Sequence, residues 1–181
     1  MVYILLGTGF EEVEAIAPCD ILRRGGVEVA FAGIGGHLVT GSHGIAVKAD
    51  VTVEEIDRDK LDMIVLPGGL GGVSSMEKSP AARDAIRWAW ENEKFVAAIC
   101  AAPTLLSQLG ITEGKRCVCY PGLEHEMGSA KMEDASTVRD GRLLTGRGPG
   151  AAIDFGLMLL KVLRGEQAAQ QVQTGMVYQN A

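Results

Sequence analysis

Apolar residues in this chain gather in short unbroken runs, and between them apolar and polar positions repeat with a helical period. Val2–Leu6 is a β-type run that stops at Gly7. Residues 10–24 predict a helix, with Val13, Ile16, Ala17, Ile21 and Leu22 near helical spacing and Gly25-Gly26 as the stop signal. Residues 27–32, rich in β-branched and small side chains, predict a second strand. The glycine-rich stretch 33–44 reads as turns around a short edge strand, and 45–47 and 51–53 as small strands. Residues 62–66 predict a third core strand, followed by Pro67-Gly68-Gly69. An amphipathic helix is expected over 79–93, capped by Ser79 with Pro80 in its first turn. Phe95–Ile99 predicts a fourth core strand, 101–109 a helix and 117–120 a fifth strand. Residues 137–138 and 143–145 flank Asp140-Gly141, a hairpin signal. Two helical segments, 151–163 and 167–173, complete the pattern.

Strands thus alternate with helices, and the core strands are apolar on both faces. That predicts one α/β domain over residues 1–181, with a parallel sheet covered by helices on both sides. In such sheets ligands bind beyond the carboxyl ends of the strands. Three loops fall there: 7–14, 67–72 and 100–104.

These loops carry the candidate chemistry. Cys100 stands where a buried strand gives way to a helix, in KFVAAICAAPTLLSQLG. It is either a small buried hydrophobe or a nucleophile presented on a strand–turn–helix elbow. In the second case the N–H groups opening the helix would face the sulfur and lower its pKa. Gly69, in the Pro-Gly-Gly turn, and Ala101 could supply N–H donors to an oxyanion, although Pro-Gly-Gly is also an ordinary turn. Glu11, Glu12 and Glu14 fall in the first turn of the first helix. For Glu11 and Glu12 the plain reading is complementarity to the helix dipole. Glu14 is expected to turn inward as a partly buried carboxyl with a raised pKa, able to stay protonated and donate to a thiolate.

Composition narrows the choices. The net charge is −6, the pI is about 5.1, and no basic run exceeds Arg23-Arg24, which argues against nucleic acid or anionic membrane as a partner. The N-terminus lacks a basic region and a long apolar run, and no segment reaches the span of a bilayer, so a cytoplasmic location is expected. In that compartment Cys19, Cys100, Cys117 and Cys119 are expected to be free thiols. Cys117 and Cys119 would share one strand face, but no second cysteine pair completes a zinc set, and no metal or cofactor is expected.

Four stretches, GFEEVEAIAPCDILRRGGVEV, DMIVLPGG, FVAAICAAPTLLSQLG and LLTGRGPGAAIDFGL, resemble in order and spacing the ThiJ/PfpI superfamily, most nearly its branch of parkinsonism-associated deglycases. The resemblance runs over nearly the whole chain. It implies a flavodoxin-like α/β/α sandwich with a mostly parallel sheet, usually a homodimer. It implies a reactive cysteine at Cys100 on a nucleophile elbow, a protonated glutamate at Glu14, and oxyanion donors at Gly69 and Ala101. The implied activity is a glutathione-independent glyoxalase or deglycase acting on α-oxoaldehydes such as methylglyoxal and glyoxal, or on their adducts. The alternative is a redox-sensing or chaperone-type protein in which Cys100 is oxidised to a sulfinate without turnover. Two positions depart from the family pattern. Ala101 follows Cys100 where peptidase-like relatives carry a histidine, which weakens a peptidase reading. Tyr120 stands in CYPG where the branch often has a histidine, and tyrosine is a poor base near neutral pH. His43, where the branch has an arginine, and His125, five residues beyond Tyr120, are the further auxiliary candidates. The first helix, with Ile16, Ile21 and Arg24, and residues 33–44 are the expected dimer surfaces.

Overall fold

The structure is a computed structural model that describes residues 1–179. Eleven strands are present: β1 (Val2–Leu6), β2 (Val29–Gly33), β3 (Leu38–Thr40), β4 (Ala46–Lys48), β5 (Val51–Thr52), β6 (Met63–Leu66), β7 (Phe95–Ile99), β8 (Arg116–Cys117), β9 (Lys131–Met132), β10 (Thr137–Asp140) and β11 (Leu143–Gly146). The α-helices are α1 (Glu12–Arg24), α2 (Leu70–Lys78), α3 (Pro80–Glu91), α4 (Ala102–Gln108), α5 (Ala152–Arg164) and α6 (Glu166–Gly175).

Seven strands form the central sheet in the order β10-β11-β7-β6-β1-β2-β5. Every pairing is parallel except β10 with β11, the hairpin turned at Asp140-Gly141. Buried apolar runs make this arrangement stable. All residues of β1 and β6 are buried, as expected for strands covered on both faces. Helix α1 packs on α5, which packs on α6, while α2, α3 and α4 form a second helical group against β6 and β7. The result is the flavodoxin-like sandwich expected from the sequence. Ser79 caps α3 as expected, its hydroxyl accepting from the Ala82 N–H at 3.2 Å.

Three segments differ from the sequence reading. Residues 70–78 form a helix that the pattern did not announce, because Gly71 and Gly72 are poor helix formers. Burial of Gly72, Val73 and Met76 outweighs that low propensity. The expected fifth core strand at 117–120 is only the end of β8, which pairs with β9 in a separate two-stranded sheet. Its backbone partners explain this. The Val118 N–H is taken by Thr145 Oγ1 at 3.0 Å and the Tyr120 N–H by the Cys100 carbonyl at 2.8 Å, so neither joins a ladder. The fifth long core strand is β11 instead, parallel to β7. Finally, β3 is not an edge of the central sheet; it pairs with β4 in a hairpin of its own.

Candidate functional site

The carboxyl ends of β1, β6 and β7 bring the three sequence loops together. Strand β7 is buried from Val96 to Ile99, and Cys100 follows at φ 65°, a left-handed backbone conformation that costs a non-glycine residue about 1–2 kcal/mol. Two hydrogen bonds hold it there. The Cys100 N–H donates to the Gly146 carbonyl at 2.9 Å, and the Cys100 carbonyl accepts from the Tyr120 N–H at 2.8 Å. Pro103, in the first turn of α4, needs no N–H partner there. The thiol is thus fixed on a sharp strand-to-helix turn, 8% exposed and lining a cavity of about 650 Å³.

Glu14 reaches the same point from α1 and is fully buried, more so than the sequence suggested. Its Oε2 accepts from the Gly68 N–H at 2.8 Å. Its Oε1 makes no hydrogen bond to any nitrogen or oxygen of the described residues. The Cys100 thiol lies near enough for each group to shift the other's pKa, although no hydrogen bond of regular geometry joins them. Gly68 permits this meeting. A Cβ there would lie 2.6 Å from Cys100 Cβ and 2.7 Å from Glu14 Oε2. Gly69 turns the chain next to it at φ 81°. The N–H groups of Gly69 and Ala101 both act on the sulfur.

The protonation pattern corrects one expectation. Burial, then the Glu14 carboxylate, pushes the Cys100 thiol up to about 12, against the pull of the Gly69 and Ala101 N–H groups. The expected lowering by the helix N-terminus does not prevail, because α4 is short and the thiol is desolvated beside an acid. Burial likewise raises Glu14, to about 7, with the Gly68 N–H and Cys100 opposing and Glu11 adding to it. Glu14 is therefore the group of the pair that titrates near neutrality. Cys19, Cys117 and Cys119 are also free and buried, with thiols raised to about 11, 12 and 11 chiefly by burial. Among the four, Cys100 is the one that lines the cavity.

Glu12 escaped the sequence reading. It is not an exposed dipole partner but a buried carboxylate. Its Oε1 accepts from the His43 N–H at 2.7 Å, and its Oε2 lies 2.9 Å from His43 Nδ1 and accepts from Ser42 Oγ at 3.1 Å. Burial pushes its pKa up, but the His43 side chain and the backbone N–H groups of His43 and Ile45 outweigh it and hold the value at about 2. In turn the bond to Glu12, with the charge of Glu11, raises His43. Glu11, Glu12 and His43 place ligand atoms within 4.8 Å of one another, a spacing that could take a cation. Those atoms already bond among themselves and to Ser42, so the group stands as an internal ion-pair cluster. Nothing in the helical pattern of 10–24 signals this, since the partners lie thirty residues downstream.

Tyr120 and His43 both line the cavity. His125 does not reach it. Its Nδ1 bonds the Gly122 carbonyl at 2.9 Å, and its exposed ring faces Glu126, so it completes a local turn rather than folding back on Cys100.

An α/β sandwich with a cysteine on a nucleophile elbow, a buried acid against the sulfur and two backbone donors beside it defines a class of cysteine-centred α/β proteins. The chain belongs to the DJ-1/PfpI family, whose family model matches residues 1–162. It is 37% identical over 177 residues to protein dj-1beta of Drosophila melanogaster, covering 96% of this chain and 95% of the relative. It is 31% identical over 159 residues to the glutathione-independent glyoxalase DJR-1.2 of Caenorhabditis elegans, covering 87% and 84%. The crystal structure of Drosophila melanogaster DJ-1beta superposes with a TM-score of 0.94 at 36% identity, over 99% of this chain and 98% of that one.

Proposed function

We propose that the protein is a cysteine-dependent, glutathione-independent enzyme that converts α-oxoaldehydes, free or as their adducts, into 2-hydroxy acids. The observation that carries this reading is the buried Glu14 carboxyl, with a pKa of about 7, against the Cys100 thiol. A base with that pKa is well matched to neutral pH.

The geometry supports the following steps. Glu14 takes the thiol proton as the Cys100 sulfur bonds to the aldehyde carbon, and the carbonyl electron pair moves onto oxygen. That oxygen is stabilised by the N–H groups of Gly69 and Ala101. Glu14 returns the proton to give a neutral hemithioacetal. It next removes the hydrogen of the former aldehyde carbon as a proton, the electron pair passing to the neighbouring carbonyl oxygen to give an enediolate; that proton is returned to the neighbouring carbon while the hemithioacetal hydroxyl proton passes to the second oxygen. The product is a thioester of the 2-hydroxy acid, which water cleaves to free acid and thiol. From methylglyoxal the product is lactate, and no oxidant or added thiol is consumed. Tyr120, beside the elbow, is an auxiliary hydrogen-bond donor to substrate in this scheme.

The redox-sensor alternative draws less support from the site. A thiol pushed up to about 12 holds little thiolate at neutral pH, and thiolate is the form that peroxide oxidises. Base-assisted attack by Glu14 needs no standing thiolate. The four unpaired thiols fit a reducing compartment, and we place the enzyme in the cytoplasm, acting as a homodimer. Among the described residues no helix is long and apolar enough to cross a membrane. The test is purified protein with methylglyoxal and no added thiol: lactate should form, and Cys100→Ser should abolish it.

A further inference from the structure

The cavity above Cys100 is far larger than a three-carbon aldehyde requires. Its volume of about 650 Å³ lies within the roughly 300–1,000 Å³ typical of sites for drug-sized ligands. Its lining is mixed. Glu11, Ser42 and His43 give it polar lining, with the Glu11 carboxylate 3.6 Å from the His43 ring. Leu70, Tyr120, Pro121, Leu123 and Pro149 give it apolar lining.

That apolar wall is unusual for this molecule. Among the described residues few large hydrophobic side chains are exposed, and two of them, Leu70 at 75% and Tyr120 at 47%, line this one cavity. Neither is fixed by side-chain packing into the core. Leu70 opens α2 directly after Gly69, so its side chain sits one residue from a proposed oxyanion donor. Tyr120 is tied to the elbow through its backbone N–H, which leaves its ring at the cavity. Both are therefore placed to cover the substituent of a carbonyl held at Cys100. A small aldehyde would leave this surface wet, whereas an apolar substituent would remove it from water.

We propose, building on the function above, that the site selects α-oxoaldehydes bearing an aryl or extended alkyl substituent over methylglyoxal, with Leu70 and Tyr120 as the specificity-determining wall. The chemistry at Cys100 is unchanged; the substituent on the second carbonyl carbon lies along the Leu70–Tyr120 side.

Binding can be read without turnover. Phenylpropanedione and butanedione are neutral α-diketones that lack the aldehyde hydrogen and cannot proceed to a hydroxy acid. Each is titrated as a protectant of Cys100 against iodoacetamide, with the alkylated peptide followed by mass spectrometry. Phenylpropanedione should protect at a concentration at least tenfold lower than butanedione. Leu70→Ser should bring the two concentrations to within about threefold, and Leu70→Met should restore the gap. Equal protection by the two diketones, or a gap that Leu70→Ser leaves intact, would overturn the proposal. Lactate formation from methylglyoxal is a separate readout and bears on the underlying function alone.

Discussion

Glu14 owes its role to where a single helical position points. It lies between the exposed Val13 and the buried Ala15, yet has no exposed surface of its own. Its ordinary pKa of 4.5 becomes about 7 in the folded chain. The folded state therefore holds this proton more tightly than the unfolded state. The stability gained is full below about pH 4.5 and is lost as pH rises through 7. By the usual conversion the change is about 3 kcal/mol. Urea unfolding of the wild type should show this decline between pH 4.5 and 7, and Glu14→Gln should flatten it. The places of both groups were legible in the sequence: Cys100 ends one apolar run, and Glu14 lies in the first turn of the helix that follows another. The direction of the Cys100 pKa was not. It depends on how completely the acid and the fold bury the sulfur, and a helix N-terminus seen in sequence carries no measure of that. Glu12 was illegible for a related reason: its partners come from the β3–β4 hairpin, which a glycine-rich stretch does not reveal.

At the scale of elements, the site depends on how closely the turn after β6 passes the end of β7. Gly68 is the contact point. Gly68→Ala would set a Cβ 2.6 Å from Cys100 Cβ, 2.7 Å from Glu14 Oε2 and 3.0 Å from the Ile99 carbonyl. Neither the backbone nor the elbow can yield cheaply. The substitution should cost about 1–3 kcal/mol in chemical denaturation and also slow lactate formation, because it separates acid from thiol. A neutral effect on both would mean the turn is looser than its geometry indicates. The core strands β1, β6 and β7 could be read directly from their unbroken apolar runs. Helix α2 could not, because it is held by packing of Gly72, Val73 and Met76 rather than by propensity. The 118–120 segment misled for the opposite reason. Val118 and Cys119 are buried, but the N–H groups of Val118 and Tyr120 go to Thr145 and Cys100 instead of a neighbouring strand.

For the whole molecule, Val13 and Ile16 on α1 are 42% and 41% exposed, and the β3–β4 hairpin exposes Leu38 and adjoining Ile45. Glu12 bonds the backbone of that hairpin, so these apolar residues lie on neighbouring elements. Ile21 was expected to join them but is wholly buried and belongs to the core. Light scattering at micromolar concentration should give about twice the chain mass of 19.1 kDa, and Ile16→Glu should give the monomer. A monomeric wild type would leave this face without its expected partner.

The proposed chemistry depends above all on Glu14 acting as the base for Cys100. Its most direct test is the rate of lactate formation from methylglyoxal, without added thiol, by the wild type and by Glu14→Gln. Glutamine keeps the shape and a donor but cannot carry a proton between sulfur, oxygen and carbon. The wild type should turn over, and Glu14→Gln should be slower by about 100-fold or more, the usual contribution of a positioned base. A Glu14→Gln rate within a few fold of the wild type would contradict that role for Glu14.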